Sequence, residues 1–257
     1  MLNTSQSVAI VVAIVAASAG FLWLLHRIWP SEQRRQHNDL IGWQVTVIGT
    51  TYAVIVAFML YAVWTNFEAA NVYAEAEANS LINVVRAAQG LPAAQKRTIE
   101  ELAREYVDNM LTQEWPAMNS VRFSPTSFRI VQDLWAAATN AETHNTSEQT
   151  SLDHTLTELS DMSNHRRLRQ LQATSGLPGI LWAVLVVGAI VTIVSACLFG
   201  SNDFKLHQIQ VFMLSLILSL ALVAIADIDR PFQGSVHVDP SGFERARSTL
   251  INMNGGR

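Results

Sequence analysis

The sequence lacks the motifs on which most catalytic and cofactor-binding sites are built. It has no Gly-rich phosphate loop, no His-Glu-x-x-His, no Cys-x-x-Cys and no nucleophile elbow. Its single cysteine, Cys197, excludes an intrachain disulfide. The chain therefore gives no support for catalysis. We expect a protein that is not an enzyme and that uses no cofactor or metal.

Charge is also scarce, and it is unevenly distributed along the chain. Only 15% of the residues are charged, 50% are hydrophobic and the net charge is −4. A mildly acidic chain of this kind gives no indication of nucleic acid as a partner. Four runs contain no charged residue, and each has the ~20 apolar-dominated positions that a helix needs to cross a lipid bilayer: 7–25, 43–64, 178–199 and 208–226. No Lys or Arg precedes the first run, which favours a retained span over a cleaved signal peptide.

These runs predict an all-α polytopic membrane protein with four transmembrane helices and a cytoplasmic helical layer. The helix of the second run continues without a breaker from Trp43 to about Gln89, and we expect the 26–42 loop before it to be a short solvated connection. Shorter amphipathic helices are predicted to follow, one of them ending before Pro116. We divide the chain into transmembrane helices 1 and 2, the cytoplasmic helical region, transmembrane helices 3 and 4, and a cytoplasmic tail: 1–66, 67–176, 177–228 and 229–257.

The basic residues near the span ends predict the orientation in the membrane. Lys and Arg are more frequent on the side that holds both termini and the central region, so we place that side in the cytoplasm. Arg166, Arg167 and Arg169 act mainly as this topology signal, with anionic lipid headgroups as an alternative partner. The central region itself has 14 acidic and nine basic side chains. We interpret Glu68, Glu75 and Glu77 as solvated or interhelical carboxylates, with a cation site as the alternative.

The second span is the candidate functional element. Gly49, Ala53 and Ala57 follow one another at intervals of four on a helix that is entirely apolar between Val54 and Leu60. A tightly packed bundle helix explains this pattern, and so does a pore-lining helix whose apolar centre excludes water. On the second interpretation, the constriction is formed by Ala53, Ile55, Ala57, Phe58 and Met59.

Two further candidate sites lie towards the cytoplasmic side. Arg86, near the end of the long helix, is a candidate for positive potential in a cytoplasmic vestibule. A turn at the inner boundary of the fourth span is predicted from charged and helix-breaking residues. Its members are Asp227, Asp229, Arg230, Pro231 and Phe232.

Short motifs from the second span onward resemble those of the bestrophin-like membrane family, whose members are regarded as distant relatives of bestrophin anion channels. The matching residues are Gly49-x-x-Tyr52-Ala53, Phe58, Trp64, Glu77-Ala78-Asn79-x-Leu81, Arg86, Leu91-Pro92, Tyr106, Glu114-Trp115-Pro116, Arg166–Leu168, Leu177-Pro178, Leu181-Trp182, Gly188-Ala189, Phe199-Gly200 and Asp229-Arg230-Pro231-Phe232-x-Gly234.

This resemblance implies a homo-oligomer, a pentamer in bestrophins, whose second span lines a central pore. The leading hypothesis is therefore an ion channel of the bacterial inner (plasma) membrane that conducts anions, with chloride as the permeant ion. The alternative is a non-conducting structural or accessory subunit of another membrane complex. Such a subunit shares every predicted span with the channel and needs no pore.

Overall fold

The computed structural model describes residues 4–255, and within them the regular structure is helical. Ten α-helices follow one another: α1 Thr4–Ile28, α2 Ser31–Arg35, α3 Asn38–Ala87, α4 Ala93–Asn109, α5 Trp115–Met118, α6 Pro125–Thr139, α7 Thr146–Thr174, α8 Gly179–Leu198, α9 Phe204–Ile228 and α10 Ser241–Gly255. Four of them, α1, α3, α8 and α9, are long and apolar enough to cross a membrane. The predicted all-α class with four membrane-crossing helices is confirmed.

Helix α3 is the longest element of the chain. Its 50 residues correspond to about 75 Å at 1.5 Å per residue. The sequence contains no proline between Trp43 and Gln89, and the inner half is rich in alanine and glutamate, which favour helix. The helix therefore continues through Asn66 without a break and ends in a 3-10 turn at Ala88–Gly90, just before Pro92.

The chain divides into two compact units. The first comprises Met1–Thr65, Gly176–Asp229 and Gly234–Val236. In this unit α1 packs along α9, and both contact α8. Two small apolar clusters hold the helices together, one centred on Leu22 and Cys197 and the other on Val63, Leu185 and Ile225.

The second unit comprises Asn66–Ser175, Arg230–Gln233 and His237–Arg257. Its core is formed by the inner half of α3 together with α4, α6, α7 and α10. The sequence builds this core because each of these helices has an apolar face at helical spacing, with Tyr106, Leu134 and Leu159 fully buried. Helix α10 adds Phe243, Ala246 and Leu250 to the core, whereas Ile251 is exposed.

The structure corrects two local expectations. The helical backbone does not end before Pro116: a π-helical turn at Met110–Glu114 leads into α5. Pro116 lies just after this π-helical turn, and the turn already interrupts the regular i→i−4 hydrogen bonds that a proline would otherwise break. The loop after α1 is not simply a solvated connection either, since it forms α2 and buries Arg34 completely. Arg34 Nη1 donates to the carbonyl oxygen of Cys197 at 2.7 Å and covers the end of α8.

Candidate functional site

Helix α3 has a face that the rest of its own chain leaves uncovered. Its membrane-crossing segment is the least buried and the least apolar of the four. Thr50, Val54, Ala57 and Tyr61 are spaced by four, three and four residues, which places them on one side of the helix, and all four are exposed. The side chains that make this face less apolar include Thr46, Thr50 and Thr51, which are also exposed.

The opposite face of α3 is fixed to its own subunit. Tyr52 is buried, and its hydroxyl donates to the carbonyl oxygen of Leu185 at 2.8 Å. Its ring lies against Gly188 of α8, in the space that a Cβ atom would need. Glycine at this position therefore lets the two helices approach closely and sets the rotation of α3 about its own axis.

The five predicted constriction residues fall on two sides of α3. Ala53, Ala57 and Phe58 are exposed, Phe58 to 66% of its surface. Ile55 and Met59 are half-buried and pack against the cluster of Val63, Leu185 and Ile225. The five residues are therefore close together along the helix, but only the first three lie on its uncovered side.

The predicted vestibule residue Arg86 is exposed near the end of α3. Its guanidinium is 3.5 Å from the side-chain oxygen of Asn83, one turn earlier. This single contact is at the limit of hydrogen-bond distance, so it leaves the arginine charge available to solvent.

In the predicted inner-boundary turn, both aspartates serve as hydrogen-bond acceptors. Asp227 accepts from the backbone N–H of Ser235 at 3.1 Å and of Val236 at 3.2 Å, and from the Ser235 hydroxyl at 2.7 Å. Asp229 accepts from the backbone N–H of Leu177 at 2.7 Å, close to the start of α8. Gly234 closes the turn with a φ of +84°, a conformation that favours glycine.

The remaining members of the turn belong to the second unit. Arg230 is exposed, whereas Pro231 and Phe232 are buried. The carbonyl oxygen of Pro231 accepts from the N–H of Val238 at 2.7 Å. The Phe232 ring contacts Trp115 edge-on, with 5.5 Å between the ring centroids. An edge-to-face pair of this kind contributes about 1 kcal/mol beyond its buried area, so this side chain anchors the turn.

A buried network of charged side chains lies in the second unit, and the sequence did not reveal it. Arg169 of α7 is completely buried between two carboxylates. Its Nε lies 2.6 Å from Glu77 Oε2, and its Nη2 lies 2.8 Å from Glu114 Oε1. The Tyr106 hydroxyl donates to Glu77 Oε1 at 2.5 Å. Arg166 adds a second positive charge, 3.8 Å from Glu114 Oε2.

The charges of this network shift the pKa values of its members. Burial and the neighbouring Glu77 carboxylate raise the pKa of Tyr106 well above its usual 10.0. Burial alone would raise the pKa of Glu114, but the charge of Arg169 and hydrogen bonds to the carboxylate outweigh it and lower that pKa. The Glu114 carboxylate is therefore ionised at neutral pH and holds Arg169 in place.

Comparison with known proteins identifies the family of this chain and solved structures that share its fold. A family model described as the Bestrophin-like domain matches residues 12–243. The chain also resembles a crystal structure of a bacterial bestrophin homologue from Klebsiella pneumoniae that carries a single substitution. The TM-score is 0.72 and the identity 12%, and the match covers 97% of this chain and 99% of that one. A structure of the Klebsiella pneumoniae homologue phased with zinc has a TM-score of 0.70 at 12% identity, covering 96% of this chain and 98% of that one.

A further crystal structure, of a chain described as a membrane protein, has a TM-score of 0.60 and 15% identity over 98% of each chain. No curated protein matches this sequence significantly. At 12–15% identity the solved structures show a shared fold and nothing finer. The predicted family resemblance is confirmed by the family model, which covers most of the chain.

Proposed function

Because the chain belongs to the bestrophin-like family, we propose that it is an oligomeric ion channel whose pore is lined by α3. The observation that carries the proposal is the uncovered face of α3, from Thr50 to Tyr61, on the least apolar of the four membrane-crossing segments. Threonine hydroxyls exposed within the span find no hydrogen-bond partners among lipid chains, and they suit a water-filled path.

The small residues beside this face support close approach of neighbouring α3 helices in the oligomer. Gly49, Ala53 and Ala57 form a stripe at intervals of four, the spacing that lets helix backbones meet in a membrane. Phe58 then supplies the bulk of the constriction, and Ile55 and Met59 support it from behind through the cluster in their own subunit. An apolar ring of this kind gates by excluding water.

The remaining features of the proposal follow from the resemblance and from the charge distribution. They are a pentameric assembly, chloride or another anion as the permeant species, Arg86 in a cytoplasmic vestibule, the bacterial inner membrane as the location, and both termini in the cytoplasm. The second unit then forms the cytoplasmic layer.

The test is ion flux through liposomes that contain the purified protein, together with its native mass. We expect a symmetric homo-oligomer that conducts, and a larger flux after Phe58→Ala because the constriction widens. Ile190→Ala removes an exposed apolar side chain from α8 and should leave the flux unchanged. A folded protein that carries no flux, or one that purifies as one or two copies in a heteromeric complex, would refute the channel and support an accessory subunit.

A further inference from the structure

Glu68 is the first charged residue that α3 presents after its apolar segment. No charged residue occurs between Asp39 and Glu68. Glu68 follows Tyr61 by seven residues, or two helical turns, so it lies on the same side of α3 and about 10 Å further along the axis. It is exposed, as is Val72 one turn later. The uncovered face of the helix therefore carries a carboxylate beyond the proposed constriction, about 15 Å from Phe58 along the axis.

The other two carboxylates on this part of α3 are engaged with basic side chains. Glu75 forms an ion pair with Arg245 of α10. Glu77 is buried against Arg169, at 2.6 Å. Glu68 makes no ion pair or hydrogen bond with any residue in the described range 4–255. Its negative charge is therefore not neutralised within its own subunit, and it is free to act on ions in solution.

We propose that Glu68 limits the anion preference of the channel: its charge lowers the permeability of anions relative to cations without abolishing anion conduction. The inference rests on the proposed function, because it requires α3 to line the pore. In a symmetric oligomer every subunit contributes one such carboxylate, and the carboxylates form a ring around the path. A ring of acidic side chains attracts cations and repels anions at distances within the Debye length, about 8 Å at physiological salt.

The proposed ring gives a reason why membership of the family does not by itself identify the permeant ion. Arg86 lies on the same helix 18 residues later, about 27 Å along the axis, too far to cancel the field of Glu68 in salt solution. The two charges therefore act on different parts of the path. Glu68 lies about 15 Å along the axis from Phe58, nearer the constriction than Arg86 does, and acts on ions as they approach or leave it.

Reversal potentials in planar bilayers under a tenfold KCl gradient test this role. We expect Glu68→Gln to raise the chloride-to-potassium permeability ratio on the order of tenfold, because all copies of the charge are removed at once. Glu68→Arg should raise the ratio further. Glu101→Gln removes an equally exposed carboxylate from α4, outside the proposed path, and should leave the ratio unchanged.

The outcomes separate this role from the function on which it rests. If all variants conduct and the ratio is the same in wild type, Glu68→Gln and Glu68→Arg, the channel stands and the role of Glu68 is refuted. If folded wild-type protein is silent, both are refuted. A Glu68→Gln variant that loses thermal stability would show that the side chain is structural and would also overturn the proposal, because an exposed, unpaired carboxylate should be replaceable at no cost.

Discussion

Replacing Arg169 with methionine is the sharpest test of the buried charge network in the second unit. Methionine has a similar length and no charge, so Arg169→Met keeps much of the packing and removes the ion pairs. It leaves Glu77 and Glu114 buried without their shared partner, since both carboxylate side chains have no exposed surface in the structure. Arg166 is too distant to replace it, at 3.8 Å from the far oxygen of Glu114.

The size of the effect follows from the burial of both partners. Removing one member of a buried ion pair costs about 3–5 kcal/mol, because a charge remains in a medium that solvates it poorly. In a protein of this length, 1 kcal/mol corresponds to roughly 2–4 °C in Tm. We therefore expect Arg169→Met to lower the Tm by roughly 6–20 °C.

The assay is thermal unfolding of the purified protein in detergent, followed by circular dichroism. The matched control is Arg167→Met, two residues away on the same helix. Arg167 is exposed, and its hydrogen bond to Asn164 at 3.1 Å lies at the surface. An exposed contact contributes at most about 1 kcal/mol, so the control should shift the Tm by no more than roughly 4 °C.

A rescue experiment shows whether unpaired charge is the cause. Adding Glu77→Gln and Glu114→Gln to Arg169→Met removes the buried negative charges, and part of the lost Tm should return. A Tm for Arg169→Met no lower than that of the Arg167→Met control, or no recovery in the triple variant, would refute the reasoning.

Two further predictions use the same unfolding assay. The pKa of Glu114 is lower in the folded protein than its ordinary 4.5, so its ionised form stabilises the fold above that pH and this contribution is lost as the pH falls through the folded value. The Tm advantage of wild type over Glu114→Gln should therefore be constant near neutral pH and shrink below about pH 4.5; an advantage independent of pH would contradict the assignment. At the contact between α3 and α8, Gly188→Ala should cost about 1–3 kcal/mol, because the added methyl group meets the Tyr52 ring. Gly179→Ala on the same helix meets nothing within 4 Å and should leave the Tm unchanged; equal effects would show that the close approach is not what matters.

The sequence was sufficient to predict the helices, because each one is encoded locally. Four uncharged runs of ~20 residues identify the membrane-crossing helices by length alone. The absence of a breaker between Trp43 and Gln89 predicts one long helix through Asn66, and α3 is continuous there. The family motifs were also recognisable in the sequence, and all of them lie within residues 12–243, which the family model matches.

The rotation of α3 was not predictable. Its middle is apolar on every side, so periodicity does not distinguish the face towards the subunit from the face away from it. The structure distinguishes them through a contact with a residue far along the chain, the bond from Tyr52 to Leu185. The sequence contains both residues that fix the rotation, a tyrosine in one span and Gly188 in another. Neither residue on its own indicates that the two are in contact.

The buried charges were missed for the same reason. Arg169 was interpreted as part of a topology signal because three arginines near a span usually have that role. Its partners are 92 and 55 residues away in the sequence, in Glu77 and Glu114. Pairing at such distances depends on how helices meet, and a single sequence without homologues does not record it.

The most direct measurement of the central claim, that the uncovered face of α3 lines a water-filled pore, is the effect of a charged, membrane-impermeant thiol reagent on the current of an Ala57→Cys channel. The native Cys197 is fully buried and provides a silent background. Val187→Cys, exposed on α8, is the control that should face lipid and fail to react. Our account predicts that the reagent changes the Ala57→Cys current and leaves the Val187→Cys current unaltered. An Ala57→Cys current that does not respond, in a channel that conducts, would contradict it.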